Sequence, residues 1–209
     1  MTSPAIAGRA QGTRRRTAMQ ALVEHLSVQY SDRDGVRRRV IPGIYGIFGH
    51  GNAVGLGQAV EEFGVDFPHY QGKNEQNMVH AAIGFARANL RMSTLACTAS
   101  MGPGSTNMLT GALTATANRV PVLILPSDAF THRRGDPVLQ DVEHPVYRDV
   151  TPNDAFRPVS RYFDRLVTPE QLLSTLPEAV RVLLDPADTG AVTIALPQDV
   201  QGQVFDYPE

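Results

Sequence analysis

A chain of 209 residues with 42% apolar and 19% charged residues is long enough for one domain with a well-buried core. Its formal charge of -2 argues against general binding of nucleic acid or anionic membrane, and its single cysteine, Cys97, excludes an internal disulfide and any cysteine-cluster metal site. No run approaches the ~20 apolar residues of a membrane span, and residues 1–12 lack the apolar stretch of a secretion signal, so a cytoplasmic protein is expected.

Residues 1–12 are small and polar and read as a loose terminus. Met19, Leu22, Val23 and Leu26 recur at helical spacing and predict an amphipathic helix over residues 14–30, ended by residues 32–35. The basic triplets Arg14, Arg15, Arg16 and Arg37, Arg38, Arg39 flank it and read as solvated faces. Residues 43–48 form a buried strand and residues 49–52 a turn, with Asn52 as N-cap of a helix carrying Val54, Leu56, Ala59 and Val60. A short strand near residues 65–70 precedes a helix over residues 75–90, marked by Met78, Ala81, Ala82 and Phe85.

The rhythm then repeats, with a strand at residues 93–98, a tight turn at 102–104 and a helix of small residues at 105–118. Another strand is expected at 121–125. Residues 126–155, rich in Pro, Asp, His and Arg, make a connection long enough to suggest a functional loop or an interface. A helix over residues 169–184, kinked at Pro177, and a buried strand at 191–196 complete the pattern. Apolar strands alternating with helices imply an α/β fold: a parallel β-sheet flanked by helices on both faces. The expected division is a flexible terminus (1–12), one domain (13–203) and the start of a linker (204–209).

Ligands of such sheets bind outside the carboxyl ends of the strands. The turns at residues 49–52, 71–75 and 100–104 lie there. Gly49, Gly51 and Gly55 make a loose dinucleotide fingerprint, but Asp66 falls near the start of the next strand, where it would miss a ribose. Glu75 sits where a strand gives way to a helix; by position alone, a first-turn Glu is explained by the helix dipole. Cys97, within an apolar run, reads as a buried, inert thiol.

A resemblance gives Glu75 more to do. The runs Asn74-Glu75-Gln76-Asn77-Met78-Val79-His80-Ala81-Ala82, Gly102-Pro103-Gly104-Ser105-Thr106-Asn107, Pro121-Val122-Leu123-Ile124-Leu125 and Leu196-Pro197-Gln198-Asp199-Val200-Gln201 resemble, in order, thiamine-diphosphate enzymes of the acetohydroxyacid synthase and pyruvate oxidase type. The resemblance implies an aminopyrimidine-binding domain in which the Glu75 carboxyl hydrogen-bonds a ring nitrogen of the cofactor. It implies cofactor contacts from Gly102, Pro103, Asn107 and Gln140. His50, on the first turn, is a candidate acid or base toward substrate, set against a loop histidine that merely bonds backbone. His80, farther along the same helix as Glu75, reads as packed.

A narrower set of runs resembles one branch of the family. Phe48-Gly49-His50-Gly51-Asn52, Tyr70-Gln71-Gly72-Lys73-Asn74, Asn153-Asp154-Ala155-Phe156 and Val159-Ser160-Arg161-Tyr162 look like hydrolases that open a cyclic diketone in myo-inositol breakdown by cleaving a carbon–carbon bond. The alternatives are a synthase or decarboxylase of 2-oxo acids and a non-catalytic nucleotide-binding or interaction module, the last disfavoured by Glu75. The family's Gly-Asp-Gly run, which holds diphosphate and Mg2+, does not occur here. The resemblance therefore implies that the diphosphate-binding domain lies outside this chain and comes from another subunit of a homo-oligomer. This stretch, expected to be a fragment of a larger enzyme, would be inactive alone. No metal ligand is expected within it.

Overall fold

The computed structural model describes residues 12–132, 139, 140, 142, 144, 146, 147 and 149–209. Most of the expected loose terminus, residues 1–11, lies outside them, as do parts of the long connection. Strand β1 (Thr13–Thr17) leads into helix α1 (Ala18–Ser27). The expected single helix over 14–30 is thus a strand and a shorter helix. A capping box divides them: Thr17 Oγ1 accepts from Gln20 N–H at 3.2 Å, and Gln20 Oε1 accepts from Thr17 N–H at 2.9 Å. Residues expected only to end the helix instead form a hairpin, β2 (Tyr30–Arg33) and β3 (Val36–Arg39). Asp34 and Gly35 both have positive φ at its turn, as two-residue hairpins require.

The main sheet contains β4 (Ile44–Ile47), β5 (His69–Gln71), β6 (Ala96–Ala99), β7 (Val122–Asp128), β8 (Tyr162–Arg165) and β9 (Ala191–Pro197). All six are parallel, in the spatial order β5-β4-β6-β7-β9-β8. Helices α2 (Gln58–Phe63), α3 (Glu75–Ala88), α4 (Pro103–Thr106), α5 (Leu109–Ala117) and α6 (Leu172–Leu184) join them. The expected helix after Asn52 starts instead as a π turn over Ala53–Gly57, and residues 105–118 divide into α4 and α5. α6 runs through Pro177 after a 3-10 turn at Pro169–Gln171.

Strand parity divides the core in two. Ala96, Leu123, Leu125, Val192 and Ile194 face α1, α2 and α6, whereas Cys97, Val122, Ile124 and Ala191 face α3 and α5. Both sheet faces are therefore dry, which explains strands that are apolar on both sides. Cys97 is fully buried, and burial pushes its thiol well up from its ordinary range, so it is packing material.

β7 and the last strand depart from expectation as well. β7 continues through Ser127 and Asp128 to the carboxyl edge, because Asn153 and Arg165 satisfy polar groups that read as loop. Residues 204–209, expected to begin a linker, contain β10 (Val204–Pro208), antiparallel to β1. Phe205 and Tyr207 pack against the core on α1's side, while Val204 and Asp206 face outward. Among the described residues, no helix is long and apolar enough to cross a membrane.

Candidate functional site

The chain leaves β4 for β5 on one side and later returns to β6 on the other, so the connections diverge between β4 and β6. At such a switch point a crevice opens beyond the carboxyl ends of the strands. The turns at 49–52, 72–75 and 100–104 surround it. Asn52, 1% exposed, does not cap a helix; its Oδ1 accepts from Gly49 N–H at 2.9 Å and its Nδ2 donates to Thr98 Oγ1 at 3.0 Å. This ties the first turn to β6. Gly51 allows the turn to press on β7, because a Cβ there would lie 2.8 Å from Ser127 Cβ and 3.2 Å from Met101 N. A Cβ on Gly55 would lie 2.4 Å from Gln201. The glycine spacing that mimics a dinucleotide fingerprint therefore serves close protein packing.

Asn74 caps α3 by accepting from Asn77 N–H at 3.0 Å, and Glu75 is the first helical residue. Its half-buried carboxylate accepts a hydrogen bond from Asn107 Nδ2 at 2.7 Å. Asn107 ends α4, which begins at Gly102-Pro103. Gly102 has φ +69°, and a Cβ on it would lie 2.1 Å from the Gln140 carbonyl oxygen, so both conformation and contact exclude a side chain. Gly104 leaves space beside the carboxylate, where a Cβ would lie 3.4 Å from Glu75 Oε1.

The cleft so formed has a volume of about 680 Å³. Glu75, Ser100, Thr106, Asn107 and Gln140 supply its polar lining, and Ile47, Pro103 and Gly104 its apolar wall. Glu75, Pro103, Asn107 and Gln140 thus converge in one place, with Gly102 buried behind them. His50 stands next to it rather than in its lining: its Nδ1 lies 3.4 Å from the hydroxyl of Ser100, which does line the cleft. Gln198 Nε2 donates to the His50 carbonyl, fixing the turn from β9. His80 is half-buried on α3, outside the cleft lining.

Ser100 and Gln198 were not singled out as site residues in the sequence, although Ser100 begins the turn at 100–104 and Gln198 lies in a run that carries the resemblance. Their neighbours across the sheet give them their place. Buried polar atoms without a partner among the described residues include His50 Nε2, Ser127 Oγ and Asn153 Oδ1, all at this edge. Native interiors rarely leave such atoms unpaired, and they collect where a ligand or water is bound. No cluster of three or more His, Cys, Asp or Glu suited to a metal ion occurs among the described residues.

A family model described as thiamine pyrophosphate enzyme, N-terminal TPP binding domain, matches residues 41–149. The chain belongs to this family. As an N-terminal TPP-binding domain it has curated relatives named 3D-(3,5/4)-trihydroxycyclohexane-1,2-dione hydrolase. One from Geobacillus thermodenitrificans (strain NG80-2) is 56% identical over 197 residues, covering 94% of this chain and 31% of that protein. One from Bacillus thuringiensis (strain Al Hakam) is 54% identical with the same coverage. Another, from Bacillus cereus, is 54% identical over 196 residues, 94% of this chain and 30% of that protein. The chain spans about a third of the length of these relatives.

The cleft suits the pyrimidine end of thiamine diphosphate. A flat heteroaromatic ring needs apolar contact on its face and directed polar groups at its edge, and Ile47 and Pro103 stand beside Glu75 and Gln140. Among the described residues the cleft lining holds no Lys or Arg, as befits the uncharged end of the cofactor rather than its diphosphate.

Proposed function

We propose that this domain binds the aminopyrimidine of thiamine diphosphate in a hydrolase that opens a cyclic 1,2-diketone by carbon–carbon cleavage. The substrate class rests on the names of relatives at 54–56% identity. The observation that carries the chemistry is the Glu75 carboxylate, held by Asn107 beside an open cleft.

Because Asn107 donates to Oε2, the other carboxyl oxygen, Oε1, is left to share a proton with a pyrimidine ring nitrogen. Asn107 also stops the carboxyl from rotating. Ile47 and Pro103 would flank the ring, and Gln140 would close over its edge. When bound, thiamine diphosphate supplies a nucleophilic carbon and an electron sink for breaking a bond beside a carbonyl. His50 and Ser100 would face the substrate side. The diphosphate and its Mg2+ would be held by another domain, contributed across a subunit contact of a homo-oligomer in the cytoplasm. Isolated residues 1–209 would then lack turnover.

The test uses the full-length protein with thiamine diphosphate and Mg2+. Ring opening of trihydroxycyclohexane-1,2-dione is followed for native protein and for Glu75→Gln. The expected loss is roughly 10²–10⁴-fold, the range for a positioned proton-transfer group, with unchanged folding. A Gln variant at native turnover refutes the assignment. Turnover of pyruvate in place of the diketone moves the protein to the 2-oxo acid branch.

A further inference from the structure

Helices α1 and α6 and the β1–β10 ribbon meet on one side of the main sheet. Between them lies a groove of about 450 Å³, a volume in the range of sites that seat a ligand. Val28 at the end of α1, Leu173, Leu176 and Pro177 of α6 and Tyr207 of β10 make its lining largely apolar. Leu176 and Tyr207 are buried, whereas Val28 is 61% and Leu173 49% exposed. Large apolar side chains standing open together in one recess mark a contact surface rather than scattered surface residues. The charges at the rim are paired with one another: Arg14 lies 3.0 Å from Glu24 and 3.5 Å from Glu209, and Arg16 lies 3.1 Å from Glu24. Two arginines and two glutamates balance, so the groove suits an apolar occupant rather than a charged one.

The course of the chain points to that occupant. Tyr207, Pro208 and Glu209 are consecutive residues of the lining, and Glu209 N–H donates to the Gly12 carbonyl at 2.9 Å, which holds this end of the chain beside β1. The relatives are about three times as long as the chain and match it as an N-terminal domain, so in a protein of their length most of the polypeptide follows position 209. We propose that the groove is the seat of apolar side chains from the segment directly after position 209 in the full-length enzyme. That segment starts inside the groove, at an effective concentration that a second copy of the domain does not match. Seated there, it fixes the angle at which the rest of the enzyme leaves this domain, on a face that shares no lining residue with the Glu75 cleft. The proposal stands apart from the reaction catalysed, and its readouts do not depend on turnover.

The test places the photo-cross-linking residue p-benzoylphenylalanine at Val28 or at Leu173 of the full-length protein, in assemblies of mixed 14N and 15N subunits. Both positions are exposed enough to accept it without disturbing the core. Mass spectrometry should find each joined to a peptide of the same subunit within about ten residues after position 209, a stretch that spans ~33 Å when extended. A cross-link between 14N and 15N subunits makes the groove a contact between copies and overturns the proposal. Capture of a more distant segment overturns it as well, and so does a lack of protein cross-links at both positions. Leu173→Asp gives a second reading. Protease cleavage just after position 209 should speed up roughly tenfold, because cleavage follows the fraction of time the segment is open. Val65→Asp, at a position 93% exposed and outside the groove, should leave cleavage unchanged. A folded Leu173→Asp protein cut at the native rate refutes the docking.

Discussion

Two polar clusters share the carboxyl edge of the same sheet and differ in how completely they are paired. At the ends of β7 and β8, Arg165 donates to Asp128 Oδ2 at 2.7 Å, Thr151 Oγ1 at 2.9 Å and Asp154 Oδ2 at 2.8 Å. Asp128 Oδ1 accepts from Ala129 N–H, and Asp154 Oδ1 from Arg157. Partial burial works against the charge of Asp154, but Thr151 N–H, Arg157 and Arg165 outweigh it and hold its carboxyl below the ordinary range. At the ends of β4, β5 and β6, by contrast, among the described residues Glu75 has one side-chain partner and a cleft in front of it, and His50 Nε2 has no partner. Charge is therefore a poor guide to function here. The closed cluster carries the larger buried charge and serves as a clamp between β7, β8 and the turn at 151–154. The open one holds back bonding capacity for something else.

Variants can break or sharpen that contrast. Glu75→Gln should have the largest effect, roughly 3–5 kcal/mol in the activation barrier of the full-length protein, with little change in stability. Arg165→Met should do the opposite. Asp128, whose side chain is 2% exposed, would lose its countercharge, costing about 3 kcal/mol of stability by urea unfolding. A stable Arg165→Met protein with impaired cofactor binding would erase the distinction between the clusters.

Asn107→Ala should come next. Freeing the Glu75 carboxyl to rotate removes one charge-assisted hydrogen bond, worth about 1.5 kcal/mol, or about tenfold in turnover, with the urea midpoint unmoved. The smallest effect lies away from both clusters, at His25. Burial lowers its pKa from the ordinary 6.5, and its Nε2 is without a partner among the described residues. The unfolded chain therefore takes up the proton first as pH drops, so stability from the neutral ring is present above pH 6.5 and is lost as pH falls through the lower folded value. Urea midpoints measured downward from pH 7 should decline, and His25→Phe should flatten that decline.

Much of the fold was legible because its strands are buried on both faces and its helices carry regular apolar stripes. What escaped was structure whose residues look polar in isolation. Ser127 and Asp128 read as loop because their partners, Asn153 and Arg165, lie far along the chain. β8, with Tyr162, Phe163, Asp164 and Arg165 all half-buried, has no alternation to reveal an edge strand. The Asp34-Gly35 hairpin turn was visible in principle, but residues 32–35 were read only as the end of the preceding helix. Glu75 stood out through its motif rather than its pattern, since a first-turn Glu is commonplace. Its partner Asn107 came from a second run of the same resemblance, Gly102 to Asn107, whereas Ser100 acquires meaning only when β4 and β6 bring it against His50.

The antiparallel pairing of β1 with β10 lays Thr13 beside Pro208, and none of its residues lines the cleft. Tension applied to the domain through its flanking polypeptide would act on both strands at this one end. It would peel their bonds apart in succession, like a zip, before any load reached the parallel sheet. A pull on either strand would thus be taken up at this seam, away from the Glu75 carboxyl.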